Sequence, residues 1–162
     1  MYKRLIGVLL SLTVLFCSVG CSDYTRLEYK SYELKNLSGF SVAQGVATAQ
    51  MQANIEIANP TSSRFRLKDF NAVLHKTSGK DFAEVTLDDV AAIEPHSDGF
   101  VPVVVNVTVF NPMAAIFSAF DPSQLTADIE MKVSSGMATK RLRYKDVPLD
   151  ELLGRLSATN AR

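Results

Sequence analysis

No cysteine occurs after residue 21. Cys17 and Cys21 are the only two, so the remainder of the chain can form no internal disulfide, no cysteine-ligated zinc site and no thiol nucleophile. Histidine is as scarce, with His75 and His96 alone. There is no His-x-x-x-His, no Cys-x-x-Cys and no glycine-rich phosphate loop, hence no spaced ligand set for a metal and no motif for a cofactor. Tryptophan is missing, but nine phenylalanines and many Val, Ile and Leu supply apolar bulk. An excess of one charge is also lacking. The 17 Lys+Arg balance 17 Asp+Glu, which removes any general electrostatic reason to bind nucleic acid or an anionic membrane.

The first 21 residues are the most informative. Lys3 and Arg4 precede an apolar run from Leu5 to Val19, and Gly20-Cys21 closes it. A basic start, an apolar stretch and a small residue before the cut form a secretory signal, too short for a comfortable membrane span. Ser18-Val19-Gly20-Cys21 resembles a bacterial lipobox, with Ser18 in place of the usual Leu. The resemblance implies cleavage before Cys21 and acyl chains on that cysteine. Each buried methylene contributes about 0.8 kcal/mol, so several chains would hold the protein firmly to a membrane. Ser22 then favours the outer membrane, facing the periplasm. The division expected is a signal peptide over 1–20, a polar tether over 21–30 and a folded domain over 31–162. After cleavage about 140 residues remain, enough for a single core.

Period two dominates the domain. Ala49, Met51, Ala53, Ile55 and Ile57 alternate with polar residues, which predicts a half-buried antiparallel strand. Asn59-Pro60 ends it, because Pro60 has no N–H for a ladder. Phe65 and Leu67 alternate with basic residues, and Phe70, Ala72 and Leu74 continue on the opposite parity; both halves face one core only if a bulge lies near Asp69. A hairpin turn is expected over 77–81 and one or two short strands over 85–93. The Val-rich stretch from Phe100 to Phe110 predicts a central strand covered on both sides. Asn111-Pro112 opens a helix of about 111–121, with Met113, Ile116, Phe117 and Phe120 on one side. An alternating strand from Leu125 to Val133, a turn at Ser134-Ser135-Gly136 and a return through Leu142 and Tyr144 follow. A final helix carries Leu149, Leu152, Leu153 and Leu156. Together these predict an all-β antiparallel sandwich of immunoglobulin or fibronectin-III type, with one short inserted helix and a C-terminal helix.

The strand Met51 to Ala58 ending in Asn59-Pro60, then Phe65-Arg66-Leu67, the alternation to Leu74 and the turn at Gly79 resemble the water-stress and hypersensitive-response (WHy) domain. So does Glu94-Pro95-His96-Ser97 leading into Val101 to Val109. This domain is the core of the type 2 late-embryogenesis-abundant proteins, and the similarity runs from about Tyr32 to Phe110. It implies a β-sandwich, no known catalysis, links to desiccation stress in plants, and relatives among bacterial envelope lipoproteins.

Few residues carry chemistry. His75 falls on the polar side of its strand and is expected at the surface. His96-Ser97-Asp98 lies in a turn with no third catalytic member. Arg141, Arg143 and Lys145 share one strand face, read first as a charged edge that discourages strand addition and second as a patch for lipid headgroups or an acidic partner. The Met113, Ile116, Phe117 and Phe120 stripe is read first as core and second as a contact face. Asn59 and Pro60 are structural markers, and Asn59→Ala is expected to cost about 1 kcal/mol, as lost caps do. The functional expectation is a non-enzymatic envelope lipoprotein that binds or protects, its partners the membrane and an envelope protein or lipid. The alternative is a lipid- or small-ligand-binding module.

Overall fold

A computed structural model describes residues 26–113 and 121–151. They form eight strands: β1 (Glu28–Ala43), β2 (Val46–Asn59), β3 (Phe65–Lys76), β4 (Asp81–Leu87), β5 (Ala91–Ile93), β6 (Ser97–Phe110), β7 (Leu125–Ser135) and β8 (Ala138–Pro148). They join in the order β1-β2-β6-β4-β3-β7-β8, with the short β5 also on β3, and every pairing is antiparallel.

Alternation decides how this sheet folds. In β2 the buried residues are Ala47, Met51, Ala53, Ile55, Ile57 and Asn59, with more exposed residues between them. In β7 they are Leu125, Ala127, Ile129, Met131 and Val133, joined by Ser134 at the strand's end. The buried side chains of both halves of the sheet belong to one cluster, in which Phe65, Met51, Leu74, Met131, Val85 and Val105 are almost wholly enclosed. A sheet apolar on one face, with no helical layer over it among the described residues, can enclose such side chains only by folding onto itself. β4 makes the turn between layers, pairing with β3 on one side and β6 on the other. The result is the expected all-β sandwich.

The parity change in β3 takes the form of a bulge. Leu67 stands opposite Val133 and Asp69 opposite Lys132, which leaves Lys68 as the extra residue. Phe65 and Leu67 before it, and Phe70, Ala72 and Leu74 after it, are therefore all buried. β6 departs from expectation. It is central, between β2 and β4, but only Val103, Val105 and Val107 are buried, while Pro102 and Phe100 face solvent. Valine on the second face reflects strand propensity rather than burial. Pro102 is tolerated because β4 borders β6 only from Val105 to Val109, so at Pro102 the ladder exists on one side alone.

β1 begins at Glu28, inside the stretch read as a tether, and Leu27 and Tyr29 are already buried. Its irregularities between Tyr29 and Ser31, Leu34 and Asn36, and Ser38 and Ser41 suit an edge strand, where bulges hinder pairing with other chains. The predicted signal peptide over 1–20 and most of the predicted tether lie outside the described residues. The predicted inserted helix starts at Pro112 and Met113, and its remainder over 114–120 lies outside them too. Asp121 then caps a short 3-10 turn, Pro122–Gln124. The C-terminal helix starts at Leu149, which is fully buried, and Leu152, Leu153 and Leu156 are outside the described residues.

Leu74→Ala should lower unfolding free energy by about 2–5 kcal/mol through lost burial and the cavity left behind. Gln52→Ala, on the open face of β2, should stay within about 0.5 kcal/mol. Urea denaturation of the two variants checks this, and equal effects would contradict a one-faced core.

Candidate functional site

Asn59 is the most densely bonded side chain among the described residues. It is the last residue of β2, opposite Ser97, and is 0% exposed. Its Nδ2 donates to the carbonyls of Ser63 and Glu94, both at 2.8 Å. Its Oδ1 accepts from the Thr61 backbone N–H at 3.1 Å and the Thr61 hydroxyl at 2.7 Å. Both amide hydrogens and both carbonyl lone pairs are thus engaged. The His96 backbone N–H donates to the Thr61 carbonyl at 3.0 Å, and Arg64 pairs with Glu94 at 2.7 Å. The loops 59–64 and 94–97 are therefore tied together through one buried amide. A sequence marker read as a simple cap is a four-bonded clasp.

The histidines lie at opposite ends of the sandwich. His96 sits in the 94–97 turn with φ at +47°, Ser97 Oγ donates to the Glu94 carbonyl at 2.6 Å, and Asp98 is engaged by Lys30 at 2.5 Å. That contact holds the Lys30 ammonium above its ordinary pKa. The His96-Ser97-Asp98 run is thus spent on turn and ion-pair contacts. His75 is half-buried, as its mixed position on β3 allows, with Nδ1 at 2.8 Å from Asp81 and Nε2 at 3.5 Å from Asp128. Sequence reading missed both carboxylates, since β4 and β7 deliver them from the two neighbouring strands. No group of three or more potential ligands able to hold a metal ion occurs among the described residues.

The basic strand is divided. Arg141 and Arg143 both approach Glu130, at 3.3 and 3.0 Å, so one carboxylate answers two guanidinium groups. Lys145 lies in a bulge, where it and Asp146 together oppose Asp128 and the Asp146 N–H donates to Asp128 Oδ1 at 2.9 Å. The three cations do not form one uninterrupted free row. On the same outer face Lys132 donates to Asp69 at 2.7 Å and holds that carboxyl below its ordinary range. Of the apolar stripe only Met113 is described, and it is 59% exposed; Ile116, Phe117 and Phe120 are outside the described residues. Other exposed apolar side chains include Phe40, Val42, Phe100 and Met137, the last 105% exposed at the tip of the β7–β8 hairpin. Its position directly after Gly136, in a turn, was the available signal.

No family model matches the sequence, and no curated protein is similar to it. Solved structures do show a likeness. One is a protein from Archaeoglobus fulgidus, 8% identical, with a TM-score of 0.43 over 72% of this chain and 91% of that one. Another is a structural-genomics target, 12% identical, with a TM-score of 0.41 over 77% of this chain and 86% of that one. A third is a β-glucuronidase of glycoside hydrolase family 2, 14% identical, with a TM-score of 0.29 over 69% of this chain and 11% of that one. No functional reading follows from likenesses of this size.

Asn59→Ala removes the amide donors to the Ser63 and Glu94 carbonyls and the single oxygen that accepts from both the N–H and the hydroxyl of buried Thr61. Each buried group left without a partner costs about 1–3 kcal/mol, so the variant should lose roughly 2–4 kcal/mol rather than the 1 of a cap. Its melting temperature should fall by about 10 °C or more. Asn59→Asp adds a pH signature. A carboxylate facing the Ser63 and Glu94 carbonyls would have a folded pKa above its unfolded value of about 4, so its stability is present at low pH and lost as pH rises through the raised pKa. Urea midpoints should therefore show a larger deficit against the natural protein at neutral pH than at about pH 4.

Proposed function

We propose that this chain is a lipid-anchored protein of a bacterial envelope, one β-sandwich of WHy-like type acting without catalysis, by binding or protection. The observation that carries the reading is the lipobox-like Ser18-Val19-Gly20-Cys21, seven residues before the first strand at Glu28. Only a short tether then separates the acylated cysteine from the folded domain. The acyl chains supply membrane affinity, and the anchor raises the local concentration of the domain toward other envelope components. The outer membrane, periplasmic face, is the proposed site, and a stress or desiccation role is the one that the WHy resemblance suggests.

What supports a WHy-like reading is the part Asn59 plays. An Asn-Pro pair at a strand end holds two loops by its side chain, a reason for such a marker that needs no activity. The alternative, a module that takes lipid or a small ligand between the sheets, has less in its favour. The space between the layers is occupied by Met51, Phe65, Leu74 and Met131, each at most 1% exposed.

Membrane fractionation tests the anchor. The full-length protein should sediment with membranes and resist salt washing, while Cys21→Ser should appear in the soluble fraction. Retention of the variant in membranes at the natural level would contradict the proposal.

A further inference from the structure

The charges of this nearly neutral chain are separated along the sandwich. Glu28 pairs with Ala58, Asn59 with Ser97, Phe65 with Ile93 and Ser135, and Ser135 with Ala138, so these residues define one end, the end at which the N-terminal segment joins the fold. Ala43 with Val46, His75 with Asp81, Ala83 with Val109 and Thr126 with Pro148 define the other. Arg26, Arg66 and Lys68 lie exposed toward the first end, and none forms an ion pair among the described residues. Lys30, Arg64 and Lys132 accompany them, each matched to one acid, and Glu28 and Glu56 are the further acids toward this end, which leaves basic residues in excess there. The far end is acidic. Asp81, Glu84, Asp128, Asp146, Asp150 and Glu151 outnumber Lys76, Lys80 and Lys145.

The basic end also carries Met137. A methionine with its whole side chain in water gains nothing from the fold, but its flexible apolar stem suits an irregular apolar boundary. Its hairpin is closed by the two-residue turn Gly136-Met137, with Gly136 at φ +59°. From Cys21 to Leu27 the chain can span at most about 20 Å, so an anchor at Cys21 would keep this end close to the bilayer.

We infer that the first end of the sandwich docks on an anionic phospholipid surface, with Met137 entering the headgroup–acyl boundary and Arg26, Arg66 and Lys68 meeting phosphates. The acidic far end then points away from the membrane, toward any envelope partner. This orientation rests on the reading of an anchor at Cys21. Each basic residue near such a surface adds attraction that salt weakens, and the apolar side chain adds a contribution that salt does not.

The test keeps the tether but does not depend on native acylation. The chain from Ser22 onward, with an N-terminal hexahistidine, is held on nickel-chelating lipid in vesicles of phosphatidylethanolamine and phosphatidylglycerol. An environment-sensitive fluorophore is placed on Thr139→Cys beside the hairpin tip or on Ser78→Cys in the far turn, and brominated lipid serves as the quencher. Quenching is expected at position 139 and not at 78, and it should fall with Arg66→Glu plus Lys68→Glu, with Met137→Asp, and in phosphatidylcholine vesicles. Without the tether, Arg66→Ala plus Lys68→Ala should weaken binding to the anionic vesicles by about tenfold or more. Equal quenching at the two positions, stronger quenching at 78, or indifference to the charge changes would overturn the orientation. An unacylated native chain would instead be seen in its mass and would overturn the anchor, a failure distinct from a loss of charge-dependent quenching at position 139.

Discussion

One apolar face, built by alternation in β2, β3, β6 and β7, is the constraint on which this structure depends. Side chains alternate across a strand, so a single residue gained or lost would turn half a strand outward. The sheet has no helical cover among the described residues and encloses that face by folding at β4, the strand with a neighbour in each layer. Two irregularities in the ladder serve the same end. The extra Lys68 in β3 restores parity between Leu67 and Phe70, and the Lys145–Asp146 bulge in β8 lets Tyr144 and Val147 lie against Ile129 and Ala127.

The second requirement is polar. Where β2 ends, the chain must turn and the loop before β6 must pass close by, leaving carbonyls with no strand to pair them. The Asn59 amide meets that need with four hydrogen bonds in a fully buried position. A buried polar group is costly when partly satisfied and rigidifying when wholly satisfied. This clasp stands at the end where the N-terminal segment joins, which is also where Arg66, Lys68 and Met137 are presented. The proposed membrane-facing end thus has the best-tied loops of the fold.

Much of this was legible in the sequence because alternation is a local signal. β2, β3 with its bulge, β7 and the turn at Asn59-Pro60 are found where periodicity and proline place them. β1 was not, for a physical reason. Its residues Tyr29, Tyr32, Leu34, Leu37 and Val42 stand opposite buried residues of β2, but only Tyr29 is itself buried, and bulges separate them by steps of two, three and more, so the run loses its period. β6 misled in the opposite way, since Phe100, Val104 and Phe110 on its second face look like burial. The carboxylates beside His75 and the sharing of Glu130 by Arg141 and Arg143 depend on strand neighbours distant in sequence, which no local pattern reveals. Overall charge balance likewise hid the division of charge between the ends.

The proposed membrane attachment depends on Cys21, whose chemistry can be read directly. Intact mass of the mature protein, purified from bacterial membranes, should equal the chain beginning at Cys21 plus its acyl groups, with the N-terminal peptide carrying the whole addition. A mass equal to the unmodified chain, cleaved or not, would contradict a lipid-anchored protein and leave the sandwich without its proposed place in the envelope.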